Sequence, residues 1–382
     1  MKKIKILAMT ATRADYPRVK KVLEEINKDK KFNLKIAVTG AHLLKKYGNT
    51  YKEILKDGFK IYKKFNIYNK NYDTLFGAVE AINNCSKKFG LLLNDIKPDM
   101  VLLTVDRIET LGAAIAASVM NYPIIHVQGG EVTGTIDENI RHAITKLSHI
   151  HMVSNKDAQN RVIKLGENKD YVFNVGCPFV DLIKSTKKIS KKIIFKKLNL
   201  DLKKKTILLI QHAVTTEYGK SKEQIIKTIT ALKKFNHKNY QVLALHSNAD
   251  PGSKNITQYI ENNNFKLISN IESKYFISLM YHSDVLVGNS SVGIREAPSF
   301  KLPSINIGSR QNGRLRTKNV IDVAHNTKKI YNAINKALFN KKFRMDLKKI
   351  KNPYGNGDSS IKIVKILKKL DYTKAINKII SY

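Results

Sequence analysis

The residues best suited to chemistry in this chain are arginines, acids and hydroxyls gathered at a few Gly-, Ser- or Asp-containing turns. Only ten of its 69 basic residues are arginine, so where they fall is informative. A guanidinium fork grips a phosphate or carboxylate through two hydrogen bonds, whereas an ammonium acts as a point charge. Arg13, Arg107, Arg141, Arg295 and Arg310 all lie in such turns, beside expected strand ends. Structural salt bridges are the plain alternative for one or two of them.

Each turn has its own chemistry. In Thr10-Ala11-Thr12-Arg13-Ala14-Asp15-Tyr16, backbone N–H groups at a helix start and the Arg13 fork suit an anion, unless Asp15 simply caps the helix. No G-x-G-x-x-G fingerprint appears there, which argues against a dinucleotide redox cofactor. Asp106-Arg107 sets an acid beside an arginine, either as a local ion pair or as two ligands of one site. The segment from Gly129-Gly130-Glu131 to Asp137 and Arg141 is the richest. Asp137 and Arg141 stand one helical turn apart, as a salt bridge or as an acid and a fork facing a ligand. His212 follows another strand and suits phosphate donation or general acid work, though a lone histidine is usually structural. Asn248 is a turn residue or a nucleotide contact. Gly288-Asn289-Ser290-Ser291 precedes an expected helix that would favour a diphosphate, with Glu296 one turn on as an acceptor for ribose hydroxyls. Arg310 sits in a further Gly-flanked turn.

These turns need strands to hold them. Apolar runs over residues 4–9, 34–39, 99–104, 120–127, 149–154 and 171–175 alternate with helical periodicities such as 16–27. Near-continuous apolar strands imply parallel sheet covered on both faces. The pattern restarts after a lysine-rich stretch at 185–205, with strands at 206–210, 240–245, 265–268, 284–287 and 303–307 and helices at 222–235 and 328–339. The expectation is α/β, two doubly wound Rossmann-like domains, 1–185 and 186–382. Terminal helices at 359–370 and 373–380 could return to the first. Ligands of open α/β sheets bind at the strands' carboxyl ends, which places the expected site in an interdomain cleft.

A length of 382 residues suits two domains. No apolar run reaches the ~20 residues that span a bilayer. Cys85 and Cys177 give neither a disulfide framework nor a metal spacing, so a reducing cytoplasm, no metal and no cofactor are expected. The net charge of +38 raises the possibility of nucleic acid as a partner. However, the lysines are spread throughout, with no basic run interleaved with stacking aromatics, so general attraction for anions is the better reading.

Taken together, Thr-Arg-Ala-Asp-Tyr at 12–16, Gly-Gly-Glu-Val-Thr-Gly-Thr-Ile-Asp at 129–137, Ile-Arg-His-Ala-Ile-Thr-Lys-Leu at 140–147 and Gly-Asn-Ser-Ser at 288–291 resemble the hydrolysing branch of the UDP-N-acetylglucosamine 2-epimerase family. That branch supplies N-acetylmannosamine or a related amino sugar to sialic- and legionaminic-acid pathways. The resemblance implies a glycosyltransferase-B-like fold, a UDP-sugar substrate and a homo-oligomer. It implies UDP contacts from Arg13, Arg107, His212, Asn248, Ser290, Ser291, Glu296 and Arg310. Arg141 joins these, and Asp106, Glu131, Asp137 and His212 are the candidate catalytic groups. Gln128 departs from the family, where many members carry glutamate before the Gly-Gly pair, so either the base is Asp106, Glu131 or Asp137, or this subgroup handles a different sugar. A glycosyltransferase of the same architecture and a basic nucleic-acid binder are the rival readings.

Overall fold

The computed structural model describes residues 3–248 and 250–381. Two compact units emerge. The first comprises the chain up to Glu131, then Ile136–Ser185 and the segment from Tyr354 onward; the second comprises Val132–Thr135 and Thr186–Pro353.

The first unit is built on β1 (Ile4–Thr10), β2 (Phe32–Val38), β3 (Ile61–Lys64), β4 (Met100–Thr104), β5 (Ile124–Val127), β6 (Ile150–Val153) and β7 (Val172–Asn174), in the order β3-β2-β1-β4-β5-β6-β7. All neighbours run parallel. Helices cover both faces, so β4 and β5 are buried throughout and carry unbroken apolar sequence rather than alternation. The first helix, Tyr16–Lys28, places Val19, Val22, Leu23 and Ile26 in the core against Ile6, Ala8 and Ile36.

The second unit repeats the plan with β8 (Lys205–Ile210), β9 (Tyr240–Leu245), β10 (Lys266–Ile268), β11 (Val285–Gly288), β12 (Ser304–Ile307) and β13 (Val320–Val323). Their order is β10-β9-β8-β11-β12-β13, again all parallel. In each unit the winding reverses once, between β1 and β4 and between β8 and β11. Ligands of such sheets bind beyond the carboxyl ends of the strands at that reversal.

Two edge strands, β3 and β13, have no counterpart in the sequence reading. Both are four-residue, partly exposed edge strands: Tyr62, Lys63 and Lys64 of β3 face solvent, and Asp322 interrupts the apolar residues of β13, so neither shows a continuous apolar run. The helix Ser359–Lys369 belongs to the first unit, its start fixed by the buried Asp181 carboxylate. That group accepts from Ser359 N (3.1 Å), Ser360 N (2.6 Å) and Ser360 Oγ (2.7 Å). The helix expected over 373–380 is corrected to one turn, Tyr372–Ala375. Beyond it Ile379 and Ile380 are exposed, and Lys378 is tied to backbone carbonyls of another segment.

Candidate active site

In the first unit, the reversal point joins the turns after β1 and β4 with the Gly-rich turn after β5. The turn after β1 differs from expectation. Asp15 does not cap its helix by a side-chain bond. Its carboxylate turns back, accepting from Ala11 N (2.9 Å), Thr12 N (3.1 Å) and Thr10 Oγ1 (2.5 Å). The Asp15 carboxylate therefore occupies the amides of Ala11 and Thr12, just ahead of the helix. Arg13 remains the cationic group of this turn. Desolvation lowers its pKa to about 10, with Tyr47 acting in the opposite sense, so it stays charged at neutral pH.

Beyond β4, Arg141 brings together acids from two turns. Arg141, fully buried, donates from Nε to Asp106 Oδ2 at 2.8 Å and adds a second bond to that oxygen from Nη2. Its Nη1 donates to the Glu131 carbonyl (2.7 Å) and to Glu138 Oε2 (2.8 Å). Burial opposes the charge of Arg141, but Asp106, then Glu131 and Asp137, raise its pKa above the ordinary arginine value. Arg141 is thus buried among the acids Asp106 and Glu138, which it holds by hydrogen bonds. Arg107 reaches instead toward Glu109, 3.5 Å away, a buried acid that also accepts from the Tyr68 hydroxyl.

The turn after β5 is shaped by the loop it must clear. Gln128 has φ +70 and its amide donates to Cys177 Sγ at 2.9 Å, so it is committed within the first unit. A Cβ on Gly129 would lie 2.6 Å from His126 Nδ1. His126 in turn donates from Nε2 to the Val105 carbonyl (3.0 Å), and Val105 itself holds φ +63 just before Asp106. Desolvation lowers the His126 pKa to about 4, which keeps the ring neutral in this role. Glu131 is buried, its carboxylate accepting from the Ser154 hydroxyl, so the mobility that two preceding glycines would allow is absent. Asp137 opens the helix Asp137–Leu147 with Glu138 beside it, and Glu138 also contacts His142 Nε2 at 2.9 Å.

In the second unit the reversal point is organised by Asn289. Its Oδ1 accepts from His212 N (2.7 Å) and its Nδ2 donates to His212 O (2.9 Å), tying the end of β11 to the end of β8. Its carbonyl accepts from Gln311 Nε2 (2.9 Å) and Arg310 Nη1 (3.3 Å), which brings in the turn after β12. Gly288 allows this: a Cβ there would stand 2.0 Å from the Ile210 carbonyl, and its φ is +133. His212 Nδ1 accepts from the backbone N–H of Asn248 at 3.2 Å, which places the ring proton on Nε2 as a donor. Asn248 thus orients His212 through its backbone. Ser290 and Glu296 are buried and Ser291 is half-buried at the same turn.

One expectation about that turn fails. The helix after Ser291 is only Val292–Arg295, followed by the 3-10 turn Ala297–Phe300 with Pro298 in it. Proline supplies no N–H and breaks the ladder, so little dipole accumulates. Hydroxyls, His212 and Arg310 are what this turn offers an anion. Among the described residues, no group of three or more His, Cys, Asp or Glu is placed to hold a metal ion.

Sequence reasoning named the turns but missed Glu109, His126, Glu138 and Asn289 as organisers. Glu109 and Glu138 each lie within three residues of a named arginine, a signal that spacing alone carries. His126 and Asn289 act through backbone atoms and leave no such signal.

Residues 24–368 match the family described as UDP-N-acetylglucosamine 2-epimerase. The chain belongs to this epimerase family. It is similar to a UDP-N,N'-diacetylbacillosamine 2-epimerase (hydrolyzing) of Legionella pneumophila, 37% identical over 99% of both chains. A GDP/UDP-N,N'-diacetylbacillosamine 2-epimerase (hydrolyzing) of Campylobacter jejuni is 40% identical over 84% of this chain and 85% of its own. A UDP-N-acetylglucosamine 2-epimerase of Neisseria meningitidis serogroup B is 34% identical over 90% and 89%. In fold, the chain resembles the Neisseria meningitidis UDP-GlcNAc 2-epimerase solved with UDP-GlcNAc, at TM-score 0.82 and 22% identity over 96% of this chain and 100% of that one.

Proposed function

We propose that this epimerase-family chain is a hydrolysing 2-epimerase, converting a UDP-2-acetamido sugar to the free C2 epimer and UDP. The observation that carries the reading is the Asp106–Arg141 pair: an acid held by a fully buried arginine, beyond β4, in a chain matching the epimerase family over residues 24–368. The two relatives named as hydrolysing epimerases of a diacetamido sugar, at 37% and 40% identity, support the hydrolytic outcome.

In the proposed reaction a carboxylate, Asp106, Asp137 or Glu131, takes the proton from C2. The C–H electron pair forms the C1–C2 double bond, and UDP leaves C1 with its bonding pair. Water then returns OH to C1 and a proton to the opposite face of C2. That proton is poorly acidic, so stabilisation of the departing diphosphate must drive the step. His212 Nε2–H, Ser290, Ser291, Arg310, Arg13 and Arg107 are assigned to the diphosphate and Glu296 to the ribose. Arg141 and Asn248 position others. The proposal includes a homo-oligomer in the cytoplasm; no helix of the described residues is long and apolar enough to cross a membrane.

The test supplies UDP-N-acetylglucosamine and the UDP-2,4-diacetamido-trideoxyhexose in D₂O, without acceptor, and follows C1 and C2 by NMR. Free C2-epimeric sugar with deuterium at C2, plus UDP, is expected from at least one. Turnover only on addition of an acceptor would replace the reading with a glycosyltransferase, and retention of the original C2 hydrogen would exclude elimination.

A further inference from the structure

We propose that Lys378, in the C-terminal tail, is a positioning residue for the acids of the first unit. The inference rests on the functional reading above and adds a residue outside every strand-end turn. Lys378 Nζ donates to the carbonyls of Thr145 (3.2 Å), Lys146 (2.5 Å) and Ser148 (2.6 Å) and lies 2.7 Å from Glu167 Oε2. Two of those carbonyls belong to the open end of the helix Asp137–Leu147, and the third follows at once. The last carbonyls of a helix lack partners within it and carry its partial negative charge, so a cation set among them satisfies both deficits.

The ammonium is itself held in place. Glu167 is buried; His151 Nε2 lies 3.0 Å from the same Oε2, and Lys146 Nζ binds the other oxygen, Oε1, at 2.7 Å. The tail is anchored one turn further on, where Ser381 N donates to the Gly166 carbonyl at 2.9 Å and Ile380 packs on Gly166.

What Lys378 holds is the helix that bears the chemistry. Asp137 and Glu138 occupy its first turn, and Arg141 in the second orients Asp106. Thr145, whose carbonyl Lys378 takes, also donates its hydroxyl to the Arg141 carbonyl at 3.0 Å. The tail lysine and the oriented acid are thus joined by one helix that has few ways to slip while its end is clamped. Losing the clamp lets the helix shift along its axis, where each residue accounts for about 1.5 Å. A misplacement of about 1 Å can cost on the order of 10²-fold in rate without touching the substrate.

The experiment compares K378M, K378R and the exposed-lysine control K374A for kcat, KM, UDP affinity and thermal midpoint. K378M is expected to lower kcat by roughly 10- to 100-fold while KM and UDP affinity hold within about threefold, under ~0.7 kcal/mol. K378R, which keeps a cation with several donors, is expected to recover most of the loss, and K374A to match the unaltered chain. Should K378M not fold, K378Q, which retains an amide donor for the carbonyls, takes its place with the same split. A reduced midpoint with unchanged kcat would make Lys378 merely structural and overturn the proposal, as would K378R as slow as K378M. No turnover by the unaltered chain would instead overturn the functional reading, and the role of Lys378 with it.

Discussion

At the scale of residues, the partner of each acid decides what that acid can do. Asp106 accepts two bonds from a buried arginine and so is held in one orientation. Asp106→Asn and Asp137→Asn are each expected to lower turnover at least ~100-fold, the lower end for a lost acid–base group. UDP affinity should stay within about tenfold, or roughly 1.4 kcal/mol. Isothermal titration and steady-state rates on the same preparations read both. Glu131→Gln is the deciding companion: if it alone abolishes turnover, Glu131 is the base that replaces the acid missing at Gln128. The residue types and their clustering were visible in the chain, because arginine is scarce in it. Their pairings were not. Arg141 reaches Asp106 across 35 residues, a partner set by the adjacency of β4 and β5, whereas spacing could offer only its helical neighbours Asp137 and Glu138. Asn289 makes the same point, since a side chain that bonds only backbone looks like an ordinary turn residue until the strands are placed. At Gly288, whose added Cβ would meet the Ile210 carbonyl, substitution by Ala should disrupt the β8–β11 register and abolish UDP binding. A G288A protein that binds UDP like the unaltered chain would show that the Asn289 staple survives without the close approach.

At the scale of elements, buried strands were readable because two covered faces demand unbroken apolar sequence. β3, β13 and the tail escaped, since a four-residue edge strand offers too short an apolar run to read and the tail is held mainly by polar contacts of Lys378 and Ser381. The element that joins the acids, helix Asp137–Leu147, ends among groups whose charge states predict its acid response. His126 and His149 have pKa values lowered to about 4, chiefly by burial. For each, the unfolded chain binds the proton more tightly, so stability falls as pH drops from the ordinary histidine range near 6.5 toward 4. Glu167 works in a second window. Burial raises its pKa, but the bond from His151 and the pairings with Lys146 and Lys378 outweigh it and bring the value to about 2. Its contribution is complete above the ordinary glutamate value near 4.3 and fades as pH falls toward 2. The thermal midpoint should therefore decline in two stages below neutrality, and Glu167→Gln should flatten the lower one. A midpoint flat from pH 7 to pH 4 would show that neither histidine is buried neutral.

At the scale of the whole molecule, a net charge of +38 shapes association as much as catalysis. Copies of so basic a chain repel, and self-association needs apolar surface to offset that repulsion. The helix Leu75–Ile96 offers some: Phe76, Val79 and Leu91 are 71%, 50% and 65% exposed, with the exposed Lys87 and Lys88 between them. Scattered exposed apolar residues are normal, but several on one helix of a protein this charged favour a second copy over solvent. The proposed homo-oligomer has two consequences measurable by analytical ultracentrifugation. Phe76→Glu should shift the mass toward monomer while UDP binding and the thermal midpoint of the isolated fold are retained, because the side chain is largely exposed. Raising salt from about 0.05 to 0.5 M should strengthen association of the unaltered chain, since screening shortens from roughly 14 to 4 Å and weakens the repulsion between copies. An association that salt dissolves would point to an electrostatic interface elsewhere. A mass unchanged by Phe76→Glu would leave this helix face to solvent.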